Sequence, residues 1–203
     1  MKHRNLYQRV FLKKMNSKPN LYFIAIIPPQ EIREAITEIK QDFADRFKSS
    51  KALRVIPHIT LKAPFKFPEE KYTEVLRWFV SINVTVNSFQ QELKDYGSFP
   101  NKRNPVIFIE PVMNESLKTL QRNILNHFTK EFGKEQVAQN EYKFNPHVTV
   151  AYRDLIYHQY KIAWEEYQSK KFEATFEVNS FHLMQHDGKK WTSIKEFMLR
   201  KGE

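Results

Sequence analysis

The chain predicts an α+β fold, with helices layered on antiparallel or mixed sheets. Strand-like segments are interrupted singly by helical ones along its length. No stretch rich in Gly, Ser or Pro separates two halves, so one compact domain over residues 19–203 is expected. With 203 residues, 41% of them hydrophobic, the chain can bury a core of its own.

The elements follow from local pattern. Residues 21–27 (LYFIAII) are a short apolar run closed by Pro28-Pro29, which reads as a buried strand. Over 30–48, Ile32, Ile36, Ile39, Phe43 and Phe47 fall on one helical face. Residues 53–65 read as extended chain. A second helix starts after Pro68, with Tyr72, Val75, Leu76 and Phe79 inward. Strands are expected at 84–96 and 105–112, joined by the turn-rich link 97–101. Residues 114–132 form a third helix carrying Leu117, Leu120, Ile124, Leu125 and Phe128. A strand at 147–152 and a helix at 155–170 follow. Three closing strands are expected at 172–178, 180–186 and 190–199, the last two joined at Asp187-Gly188.

The formal charge of +10 is unevenly placed. Residues 1–30 hold six Lys or Arg and no acid, so residues 1–18 read as a basic arm outside the fold, and Met15 could be the true start. The rest is mildly basic, which fits either a polyanionic partner or a surface kept soluble by Lys. The chain has no Cys, which excludes disulfides, thiolate catalysis and Cys-ligated metals. It has four Gly and no Gly-rich phosphate loop. No apolar run reaches the ~20 residues of a membrane span, and no signal-peptide pattern opens the chain. A cytoplasmic protein is expected, with a monomer favoured.

One feature stands apart. Pro57-His58-Ile59-Thr60-Leu61 recurs 89 residues later as Pro146-His147-Val148-Thr149-Val150. A second match by chance has odds on the order of one in a thousand at ordinary residue frequencies. Two lobes related by a pseudo-two-fold axis would explain the repeat. On strands, alternate side chains share a face. Ile59, Leu61, Val148 and Val150 then face a core. His58, Thr60 and Lys62 face the other way, as do His147, Thr149, Ala151 and Arg153. Side by side, the two strands would offer two imidazoles, two hydroxyls and two cations to one cleft. A phosphodiester needs that set: donors and positive charge for its oxygens, a base for the attacking group and an acid for the departing one. Histidine titrates near neutral pH without perturbation, so a pair can hold one neutral and one protonated member. A single histidine on a strand is more often structural; the repeat and its shared parity single out these two.

Two His-x-Thr-x motifs on strands some 90 residues apart resemble the two-histidine phosphoesterase superfamily, nearest its 2′-5′ RNA ligase or RNA cyclic phosphodiesterase branch. The resemblance runs over residues ~21–199 and includes HITLKAPF, PHVTVAYRD and a closing hairpin with Trp191. It implies a bilobal fold of two pseudo-symmetric antiparallel sheets, with outer helices around a central cleft. It implies cleavage of 2′,3′-cyclic phosphates, or cleavage and sealing of 2′-5′ linkages, without a metal or other cofactor. His58 and His147 match the family's catalytic pair, and Thr60 and Thr149 its phosphate-holding hydroxyls. Arg153 stands where some relatives carry a basic residue. The first motif lacks a matching Arg and has Lys62-Ala63-Pro64 instead. The implied partner is an RNA end or a nucleotide. Which histidine is acid and which base stays open at this stage.

Other groups are weaker. Phe65, Phe67, Phe99 and Tyr152 flank the motifs, and Phe65, Phe99 and Tyr152 are the candidates for stacking on a base, although core packing competes for each. Tyr152 has the wrong parity for the cleft if its strand stays regular. His182 and His186, with Asp187, could make a metal site only if further ligands joined them. His127 and His158 read as surface residues. A module that binds a nucleotide or RNA end without chemistry is the alternative function. A metal-dependent hydrolase is a weaker third, because few carboxylates lie near either motif.

Overall fold

The computed structural model describes residues 19–202, so the basic arm expected at 1–18 lies outside the described residues. Among the described residues, two four-stranded antiparallel sheets form the framework, and four α-helices complete an α+β architecture of the expected class. The first sheet holds β1 (Asn20–Ile26), β2 (Ile59–Phe67), β7 (Ser180–His186) and β8 (Trp191–Met198), in the order β2-β1-β7-β8. The second holds β3 (Phe89–Phe99), β4 (Val106–Pro111), β5 (Val148–Ala151) and β6 (Glu173–Val178), in the order β5-β4-β3-β6. The two motif strands, β2 and β5, are thus edge strands of different sheets.

The helices tie the sheets together. α1 (Gln30–Phe47) leaves the first sheet and packs against β5 of the second. α3 (Glu115–Phe132) leaves the second sheet and packs against β2 of the first. The buried stripe Ile36, Lys40, Phe43, Phe47 puts the inner face of α1 at helical spacing. α3 opens on Asn114, whose side chain accepts from Leu117 N at 2.8 Å. α2 (Tyr72–Val80) buries Val75, Trp78 and Phe79; α4 (Tyr157–Tyr167) buries Tyr160, Ala163 and Tyr167. One apolar cluster takes in Tyr22 and Ile24 from the first sheet and Ile107 and Val148 from the second.

β1 is buried on both faces. Tyr22, Ile24 and Ile26 enter the main core, whereas Phe23 and Ala25 join a small cluster with Met184, Ile56 and Trp191 on the other side. That second face becomes the floor of the cleft.

Two expectations shift. β3 starts at Phe89, not residue 84, and runs on through Gly97-Ser98-Phe99, the segment expected as a turn. Gly97 pairs with Phe108, and a Cβ there would come within 2.4 Å of the Phe108 ring. Absence of a side chain therefore keeps this stretch in the sheet and lets Phe108 lie across it. Before β3, Ser88 N bonds Arg200 O at 2.7 Å, and Thr85 N bonds the Asn123 side chain. Short 3-10 turns at Lys51–Arg54 and Gln139–Tyr142 lead into the two motifs.

Candidate active site

Each histidine sits just before its strand, after a proline, and both are held alike. His58 Nδ1 donates to Ile56 O at 2.7 Å; His147 Nδ1 donates to Asn145 O at 2.9 Å. A carbonyl can only accept, so each neutral ring carries its proton on Nδ1 and leaves Nε2 with a free lone pair. Aromatic rings fix both planes. His58 lies 4.8 Å from the Phe23 ring, which meets Trp191 at 4.5 Å. His147 lies 5.3 Å from Phe99 and 5.4 Å from Phe108.

The motifs converge on two adjoining hollows that share Thr60. One, of about 150 Å³, is lined by His58, Thr60, Thr149, Tyr152, Arg153, Lys40, Phe23 and Trp191, among others. The second, of about 340 Å³, is lined by His147, Thr60, Phe99, Phe144, Asn145, Lys143 and Glu141. Neither imidazole is driven into the core: both remain part-exposed at the cleft. Burial holds the His58 pKa down to about 4. The Ile56 carbonyl opposes that shift, while the charges of Lys40 and His147 reinforce it. His147 is lowered too, chiefly by burial, against the Asn145 carbonyl.

Lys62 and Tyr152 are placed differently from the simple alternation, and Phe65 and Phe67 go to the core. Lys62 is buried, 1% exposed, instead of sharing the cleft face with His58 and Thr60. Two one-residue register shifts in the β1–β2 pairing flank Lys62, so it pairs with the core residue Ile24 and turns inward; together the shifts cancel, and Phe65 and Phe67 keep the buried parity of Ile59 and Leu61. The Lys62 ammonium bonds Glu141 at 3.0 Å and lies 4.6 Å from the Phe128 ring, so its charge is already matched inside the protein. Phe65 is 4% exposed and packs on Phe128, Trp78 and Tyr22; it is a core residue and cannot stack on a base. Phe67 is buried as well. Tyr152 does line the cleft, because β5 ends at Ala151 and the alternation stops there. Phe99 lines the larger hollow.

Arg153 has φ 60, a left-handed conformation uncommon for a side chain of this size. The next residue explains how it is held. Asp154 accepts from Ser49 Oγ at 3.1 Å and from the backbone N–H of Ser50 and Lys51 at 3.0 Å each. One carboxylate therefore ties the loop after β5 to the chain leading into β2. Asp154→Ala should cost about 2–3 kcal/mol by leaving those donors without their charged acceptor. Urea unfolding would measure it, and a loss under ~0.5 kcal/mol would show that the tie is slack.

Among the described residues, no group of three or more His, Cys, Asp or Glu is placed to hold a metal ion. His182 bonds Ser193 Oγ at 3.0 Å and lies 3.8 Å from Glu196, which accounts for it without a metal. Sequence reasoning missed Phe23, Lys40, Phe144 and Glu141. Phe23 had a signal, since it alternates with the core residues of β1. The others come from helix and turn segments that no motif marks.

With this geometry in place, comparison with known proteins decides the family. The 2′-5′ RNA ligase superfamily model matches residues 28–190. The chain belongs to that superfamily. A relative from Bacillus cytotoxicus is 30% identical over 181 residues, covering 88% of this chain and 96% of its own. Another, from a Geobacillus species, is 29% identical over 185 residues, with 88% and 95% covered. Both carry names that assign them to the phosphoesterases without a substrate. Among solved structures, TT0787 of Thermus thermophilus aligns with a TM-score of 0.65 at 20% identity, over 90% of this chain and all of that one. Apo LigT of E. coli aligns with a TM-score of 0.63 at 21% identity, over 91% of this chain and all of its own. LigT has also been solved with 3′-AMP, in a structure aligning at a TM-score of 0.60. No helix among the described residues is long and apolar enough to cross a membrane.

Proposed function

We propose that this superfamily member is a phosphoesterase that hydrolyses a 2′,3′-cyclic phosphate or a 2′-5′ phosphodiester of an RNA end or nucleotide. The observation that carries the reading is the matched pair of imidazoles. Both are oriented by a carbonyl two residues back, and both border hollows that meet at Thr60. The phosphoesterase names of the relatives and the 3′-AMP complex of LigT support it.

The bound phosphate brings negative charge, which favours protonation of a nearby imidazole. His147 takes that proton, because His58 is held neutral by burial, Lys40 and His147 together. His58 Nε2 then removes a proton from water as the water oxygen bonds to phosphorus. The bond from phosphorus to one ribose oxygen breaks, and His147 gives its proton to that oxygen. A phosphomonoester and a free ribose hydroxyl result. Thr60 and Thr149 donate to the non-bridging oxygens, with Arg153 adding positive charge. Phe99 and Tyr152 offer faces to a base on either side.

The test is a panel of 2′,3′-cyclic nucleotides, cyclic-ended oligonucleotides and 2′-5′ dinucleotides, with product analysis and with or without chelator. Turnover of at least one class, unaffected by EDTA, is expected. Tight binding with no turnover across the panel would replace the enzyme with a nucleotide-binding module.

A further inference from the structure

Lys40 is the least expected group at the cleft. It sits in the middle of the apolar stripe of α1, between Ile36 and Phe43, and is 2% exposed. An ammonium is rarely buried so far unless paired. Here no carboxylate among the described residues forms an ion pair with it; its one hydrogen bond runs to Val55 O at 2.8 Å. Two of its three N–H groups have no acceptor among the described residues. Val55 and Lys40 both border the hollow that holds His58, Thr60 and Thr149, and they also border a second hollow lined by Arg33, Glu34 and Thr37 of α1. Lys62, the cation expected from the first motif, is by contrast committed to Glu141.

We infer that Lys40 binds the non-bridging oxygens of the substrate phosphate, supplying from α1 the cation that the first motif does not. The inference rests on reading the cleft as a phosphoryl site, and it makes α1 part of that site. The same charge beside His58 also keeps that ring unprotonated, leaving the shared proton to His147.

Inorganic phosphate is the direct probe, because it reads binding without turnover. Lys40→Met should weaken phosphate binding about tenfold or more, and Lys40→Arg should restore most of it. Unliganded Lys40→Met should melt no lower than the native protein, since it loses a buried, unpaired charge. In the native protein, NMR of labelled lysine should show the Lys40 pKa, pushed down to about 8 by burial, rising when phosphate is added. His58 in Lys40→Met should take up its proton at higher pH. That set of shifts separates binding from a packing role. Unchanged phosphate affinity in Lys40→Met, or a Lys40 resonance indifferent to phosphate, would overturn the inference. If Lys40→Met fails to fold, the native-protein titration decides alone. Loss of turnover on the whole substrate panel would instead sink the catalytic reading while leaving phosphate binding at Lys40 standing.

Discussion

His58→Ala and His147→Ala should each lower turnover of the accepted cyclic or 2′-5′ substrate by about 10²–10⁴-fold, the range for a general acid or base. The two losses should not add. Once one proton carrier is gone, the other has no partner step, so the double variant should fall little below the worse single one. Substrate affinity should change far less than turnover, because Thr60, Thr149 and Arg153 remain. Steady-state kinetics with the pH–rate profile would check this. In the native enzyme the rate should fall as pH drops and His58 becomes protonated. It should also fall as pH rises and His147 loses its proton. His58→Ala should erase the acidic limb and His147→Ala the alkaline one. Full turnover in either variant would leave the imidazoles structural.

Much of this site was legible in the sequence because strands carry their own parity. Pro-His-aliphatic-Thr-aliphatic, written twice, says which side chains share a face before any coordinate is known. It fails where the backbone departs from alternation. The irregular pairing of β2 turns Lys62 inward, and the end of β5 at Ala151 brings Tyr152 into the cleft. Phe65 looked available because it follows the motif, but it shares the parity of Ile59 and Leu61, and α3 packed against β2 closes the core over it. Lys40 could not be found from sequence. A lysine in a helical apolar stripe ordinarily reaches past the core to water. Its burial depends on α1 crossing to the far sheet, which no local pattern encodes. The crossing of α1 and α3 is the unread part of the fold, and it brings two edge strands from different sheets to one cleft.

The ion pair beside the cleft should prove as costly to break as the histidines are to catalysis. Lys62 and Glu141 are 1% and 7% exposed at their side chains, with an N···O distance of 3.0 Å. The carboxylate also accepts from Ala63 N and Ala138 N at 2.9 Å each. Glu141 therefore fastens β2 to the turn that leads into His147. Burial lowers the Lys62 pKa, and Glu141 opposes that shift, as expected of a cation tolerated inside only beside its partner. Glu141→Gln should cost about 3–5 kcal/mol, the range for stranding one member of a buried pair. Lys62→Met alone should cost less, because two backbone N–H groups still satisfy the carboxylate. The double variant Lys62→Met/Glu141→Gln should be at least ~1 kcal/mol more stable than the sum of the single losses predicts. It should not regain native stability, since the amide offers one acceptor oxygen where the carboxylate offered two. Urea unfolding of the four proteins measures the cycle. Additive single losses would mean that the two charges do not depend on each other, and that the turn before His147 is held by packing alone.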